Sequence, residues 1–271
     1  MAAVPDLDLF VQLLVALEPW LDKVVVVGGW AHRLYRLHPD AQRLNYPPLI
    51  TLDADVAVPP RLPVRDRDQD IRQRLLANGF SEEFLGSDRP PATHYRLGSG
   101  SSGFYAEFLT PLIGGPYDRR SRRKATLQVA GVTSQQLRFV ELLLHRPWTV
   151  ELKEHLFSGR IQVANPASFL AQKLLIHSRR RSDDRAKDIL YIHDTLQLFG
   201  SRLAELRKEW QSSVTIRLSA HQTRSLSKMP HKFFGEVTDD IRRAALIASG
   251  RVHSPQAIRD ACLIGLDELL S

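Results

Sequence analysis

"ITLDADVAVP", residues 50–59, sets two carboxylates inside a run that otherwise has the composition of a buried strand. With the two-residue period of a strand, Ile50, Leu52, Ala54, Val56 and Val58 share one side and Asp53 and Asp55 the other. At the rise of a strand the two acids stand roughly 6.8 Å apart. Like charges at that distance repel, and burying either is expensive. On the solvent side of an edge strand the pair costs little; next to a cation it becomes a ligand set. Flanking sequence decides between these readings.

Upstream, "KVVVVGGWA" (23–31) reads as a β-branched strand closed by Gly28 and Gly29, with helical spacing through "WAHRLYRL". A double glycine at a strand-to-helix turn allows close backbone approach, and the helix start offers unpaired N–H groups to an anion. Downstream, "GFYAEFL" (103–109) holds one acid, Glu107, in an apolar strand, on the side shared with Tyr105 and Leu109. If that strand neighbours the Asp53/Asp55 strand, three carboxylates converge. Each pair at 4 Å and an effective dielectric of 20 repels by about 4 kcal/mol. A divalent ion reverses the sign, and hard Mg²⁺ or Mn²⁺ prefers oxygen ligands.

The rest of the first half alternates strands and turn signals. "RDRDQDIRQRLLANGF" (65–80) predicts a helix stopped at Gly79, "ATHYRL" (92–97) a strand joined to "GFYAEFL" through "GSGSSG", and "KATLQVAGV" a further strand. "TVELKEHLFSGRIQVANP" holds two short strands, and from Pro166 the period is helical, with Asn165 as the cap of "PASFLAQKLLIHSR" and Gly200 ending "DDRAKDILYIHDTLQLFG". The boundary is expected between residues 135 and 165. The N-terminal "MAAVPDLDLFVQLLVALEPWLDK" reads as an amphipathic helix rather than a signal sequence, since it carries acids where a basic region belongs.

Composition narrows the partners. A net charge of +7 and a pI near 9.7 favour an anionic partner. The bases cluster in "RRSRRK" (119–124) and in "RRR" (179–181) with Arg185 and Lys187. The single cysteine, Cys262 in "ACLIGL", excludes an internal disulfide and a thiolate zinc cluster and reads as core, consistent with a cytoplasmic location. No apolar run reaches the length of a membrane span.

Strand, Gly28-Gly29, helix, a strand with Asp53-x-Asp55, then a strand with Glu107 resembles the nucleotidyltransferase superfamily related to DNA polymerase β. The 23 residues between Gly29 and Asp53 resemble the bacterial branch of AbiE-type toxins and related nucleotidyltransferases. "NPASFLAQKLLIHSRRRSDDRAKDILYIHDTL" is similar to the second hallmark of that branch, with Lys173, Arg185, Lys187 and Asp188 on the matching positions. The resemblance implies an α+β fold: a mixed nucleotidyltransferase sheet with flanking helices in residues 1–135, and a mainly helical domain in 136–271 completing the active-site cleft. It implies transfer of a nucleoside monophosphate from an NTP to an acceptor hydroxyl, of RNA or tRNA, protein or a small metabolite, with release of pyrophosphate. Asp53, Asp55 and Glu107 are then metal ligands for Mg²⁺ or Mn²⁺, with Glu107 also a proton acceptor. Gly28, Gly29, Lys173 and Arg185 contact the nucleotide, Asp188 orients Lys173 or Arg185, and a cognate antitoxin is a possible partner.

Plainer readings stand beside these. Lys173 also fits the exposed side of an amphipathic helix, and Asp188 a first-turn acid favoured by the helix dipole. Trp30 and Tyr105 fit packing roles or base stacking; His94, His177 and His193 have no metal-ligand spacing. Two rival functions are a metal-dependent nuclease built on Glu151-x-Lys153, and an RNA- or partner-binding protein on an inactive transferase scaffold.

Overall fold

The computed structural model describes residues 5–63, 69–98, 103–121, 123–248, 251 and 253–271. Residues 65–68 of the predicted helix, 99–102 of the glycine-serine turn and Arg122 of the basic run lie outside them. Two units form, one from residues 1–37 and 49–164, the other from 38–48 and 165–271.

Three buried valines make β1 (Val25–Val27), which pairs antiparallel with β2 (Asp53–Ala57), Val27 facing Asp55. On its other side β2 runs parallel to β5 (Phe104–Pro111), with Asp53 opposite Tyr105 and Asp55 opposite Glu107. The far edge of β5 is shared: its first half pairs with β4 (Ala92–Leu97), its second with β7 (Val132–Leu137). β3 (Ser81–Leu85) adds to β4, and β6 (Thr126–Val129) to β7 through a tight turn at Ala130 and Gly131, both at positive φ. β8 (Trp148–Glu154) and β9 (Phe157–Val163) form a hairpin, which belongs to this unit because β9 runs parallel to β1. Among the described residues this is one nine-stranded mixed sheet.

The two faces of the sheet differ. On one, Ala54, Val56, Tyr95, Phe104, Ala106 and Phe108 are fully buried. That face lies under α1 (Pro5–Leu17), beside which α3 (Ile71–Ala77) packs. Trp30, from α2 (Gly28–Leu34), stacks on Phe10 at 3.9 Å and meets Phe104 edge-on. Trimming Phe104 to alanine there costs about 3–5 kcal/mol. On the opposite face the alternation Asp53, Asp55, Ala57 and Tyr105, Glu107, Leu109 turns from polar to apolar along each strand. Val25, Val27, Ala57 and Leu109 pack under α4 (Val140–Leu143). The acids stand where that cover ends.

The second unit is helical: α5 (Pro166–Ile176), α6 (Ser182–Leu198), α7 (Leu203–Glu209), α8 (Ala220–Leu226), α9 (Met229–Phe234), α10 (Asp239–Ile247) and α11 (Pro255–Leu270). Asn165 caps α5 by accepting from the Ser168 N–H at 2.8 Å. Residues 38–48 are tied to this unit through Asp194, fully buried on α6. It accepts from the Tyr46 hydroxyl at 3.1 Å and from Arg251 at 2.6 Å, while Arg251 also donates to the Pro47 carbonyl. Cys262 is buried on α11 as core.

Candidate active site

Asp53, Asp55, Tyr105 and Glu107 share one face of the β2–β5 pair, and all four are part-exposed. Neighbouring strands stand about 4.8 Å apart, so Asp55 and Glu107 are side by side, with Asp53 one period along. Each acid has a local device. The Thr51 hydroxyl donates to Asp53. Gln135, from β7, donates its amide to Glu107. Gly28 adopts φ +63°, and a Cβ on it would lie 2.0 Å from Oδ2 of Asp55, so the carboxylate occupies the space that glycine leaves.

His94 and Tyr105 complete the face. Their rings stack at 4.3 Å, with the Arg96 guanidinium 5.5 Å from the Tyr105 ring. Nε2 of His94 is 3.9 Å from Glu107 and its Nδ1 3.8 Å from Glu83. Burial, then the fields of Asp53, Glu107 and Asp55, push the Tyr105 phenol well above its ordinary pKa, so it stays a protonated donor amid three acids. Burial lowers the His94 pKa against the opposing pull of Glu83, while Arg96 lowers it further.

Three hard carboxylate donors on one face, where like charges repel, fit a divalent cation. The cradle at Gly28 fits as well, since it exists to admit the Asp55 carboxylate. Among the described residues no three His, Cys, Asp or Glu side chains close tightly enough to hold a metal ion as they stand. Thr51 and Gln135 hold Asp53 and Glu107 on separate partners instead.

The second hallmark maps onto the helical unit. Lys173 is 6% exposed, so the exposed-helix alternative does not hold. Its Nζ donates to Oδ1 of Asp188 at 2.6 Å and lies over the rings of Phe169 and Tyr191. Asp188 is fully buried, seventh in α6 rather than in its first turn, and takes a second contact from Arg180 at 3.3 Å. A dipole-stabilising surface acid is thereby replaced by the counter-ion of two cations. Arg185 pairs with Asp240 through Nε at 2.7 Å, and Lys187 is exposed. The structure thus joins Lys173 with Asp188, and Arg185 with Asp240.

Glu151 and Lys153 lie on β8 at the sheet edge, largely exposed, with their charges 3.8 Å apart. Three strand spacings, roughly 14 Å, separate that edge from the acids of β2. Gln135, Thr51 and the His94–Tyr105 stack were not legible as site residues. Gln135 sits in "VTSQQL", whose polar residues hid β7 altogether; only the preceding Ala-Gly turn hinted at a hairpin partner for β6.

A family model described as Nucleotidyltransferase matches residues 8–215. No curated protein matches the chain.

Proposed function

Because the chain belongs to the nucleotidyltransferase family, we propose that it moves a nucleoside monophosphate from an NTP to an acceptor hydroxyl in a metal-dependent reaction that releases pyrophosphate. The observation that carries this reading is the parallel register of Asp55 with Glu107, together with the glycine cradle under Asp55. Both follow from strand pairing rather than from the motif alone.

Asp53, Asp55 and Glu107 would hold Mg²⁺ or Mn²⁺. When bound, such ions offset the triphosphate charge and lower the pKa of the acceptor hydroxyl. Glu107 accepts the hydroxyl proton, and Gln135 aims its carboxylate for that task. Gly28 and Gly29 bring backbone close to the β- and γ-phosphates without a side chain in the way. Tyr105, kept protonated, adds a neutral phenol rather than a further negative charge to the acidic face.

The test is incubation with each α-labelled NTP, Mg²⁺ or Mn²⁺, and total RNA or protein as acceptor. Label should enter an acceptor fraction, and Asp53→Asn should abolish it while the fold, followed by circular dichroism, persists. Equal labelling by wild type and Asp53→Asn would refute the assignment of Asp53 to the site, and no label with either would leave a binding protein on a transferase scaffold.

A further inference from the structure

A cavity of about 190 Å³ opens beside the acidic face, bordered by Arg123, Lys124, Thr126, Gln135 and Gln136, with Asp88 on its rim. Gln135 belongs to both places: it lines the cavity and its amide holds Glu107. The rest of the lining mixes apolar side chains, Leu112, Pro116 and Leu137 among them, with polar groups tied to the backbone. Lys124 donates from Nζ to the Ile113 carbonyl at 2.5 Å, Gln136 to the Thr126 carbonyl at 2.9 Å, and the Thr126 hydroxyl to the Pro90 carbonyl at 2.6 Å. Arg123 is exposed at the mouth, continuing the basic stretch of Arg119 and Arg120.

Strand order gives this cavity a role. Gly28 follows β1; next across the sheet come β2 with its aspartates, β5 with Glu107, and β7 with Gln135. In phosphoryl transfer the attacking and leaving oxygens lie roughly in line, on opposite sides of the phosphorus. On the transfer reading above, which this inference rests on, the triphosphate tail lies at the Gly28 end. The incoming hydroxyl must then arrive from the β7 side. We infer that the cavity between β6, β7 and residues 123–126 is the acceptor subsite, and that it takes a ribose hydroxyl carried on a phosphorylated nucleotide.

Arg123 and Lys124 suit a phosphate, while the amide oxygens of Gln135 and Gln136 and the Thr126 oxygen suit sugar hydroxyls as acceptors. The space is of the size of the sugar and phosphate of one nucleotide, with the base outside it, and not of a folded chain. In the step itself the acceptor oxygen bonds to the α-phosphorus as the bond to the bridging oxygen breaks. The hydroxyl proton passes to Glu107, and pyrophosphate departs with the electron pair.

The experiment uses the full chain and two probes, a 5′-phosphorylated oligoribonucleotide and the matching nucleoside 5′-monophosphate. Binding is followed by anisotropy and competition, and NTP binding separately with a fluorescent NTP. The double charge reversal Arg123→Glu with Lys124→Glu should weaken the preferred acceptor about tenfold. It should also flatten the salt dependence of oligonucleotide binding by about 0.7 per lost phosphate contact, with NTP affinity unchanged. Arg123→Glu alone, at an exposed side chain, should give part of the effect and guards against misfolding of the double variant. Preference for one probe tells whether the nucleotide comes from an RNA end or a free pool, and either supports the subsite. Equal loss of NTP binding assigns the cavity to the triphosphate and overturns the inference. So does undiminished acceptor binding, or label on a protein hydroxyl that the charge reversal leaves unchanged. If the wild type transfers no label at all, the transfer reading fails, whereas the binding comparison still tests the cavity.

Discussion

Replacing Gly28 by alanine isolates the contact on which the acidic face depends. Two effects add. A non-glycine residue at φ +63° is held in the left-handed region, which costs roughly 1–2 kcal/mol. The new methyl would also lie 2.0 Å from Oδ2 of Asp55, whereas ordinary contact begins at 3.4 Å, so the carboxylate must retreat by more than 1 Å. Misplacement of a reacting group on that scale lowers turnover about 100-fold, or about 2.7 kcal/mol in the barrier. Gly86 provides the control, because it has φ +73° with nothing within 4 Å of its missing Cβ. Gly86→Ala should show the stability loss, a fall in melting temperature of about 2–8 °C, with transfer intact. Gly28→Ala should show both losses. The assay is label transfer at saturating NTP beside a thermal melt of each variant. If Gly28→Ala transfers label within about threefold of wild type while melting like Gly86→Ala, the packing argument is refuted.

Mg²⁺ or Mn²⁺ should raise the melting temperature of the wild type by mass action, and this rise should vanish in Asp53→Asn and Asp55→Asn; an equal rise in all three would place the ion elsewhere. Asp188→Ala leaves Lys173 and Arg180 facing a buried space without their counter-charge, and unfolding in urea should show a loss of about 3–5 kcal/mol. Gln135→Leu should lower turnover more than NTP affinity, with Gln135→Asn recovering less than half, because the shorter amide does not reach Glu107. Burial holds the pKa values of His38, His94, His177 and His253 below the ordinary histidine value. The unfolded chain therefore takes up protons first as pH falls through about 6.5. Stability should be full above that pH and decline below it, read as a lower denaturant midpoint at pH 5.5 than at pH 7.5.

The residues of the acidic face were legible one strand at a time. Period-two alternation put Asp53 and Asp55 on a common side of β2 and Glu107 on a defined side of β5, because side-chain direction in a strand is a local property. The same holds for the Asn165 cap and for the amphipathic helices, whose signals lie within one turn. β3 was missed because "SEEFL" is an edge strand with an exposed Phe84 and no apolar side to speak of. β2 also proved shorter than its apolar run: Ile50 and Leu52 are exposed, on the approach to the strand rather than within it.

The sequence by itself determined which way Asp53, Asp55 and Glu107 face within their strands and that α5 starts at the Asn165 cap. Only the tertiary structure decided that Asp55 and Glu107 are neighbours, that Gly28 makes room for one of them, and that Gln135 holds the other. It also turned Asp188 from a helix-end acid into a buried counter-ion of Lys173. Side-chain direction and capping are written within a few residues, whereas strand register and charge pairing join segments 15 to more than 50 positions apart, where the chain carries no local record of its partner.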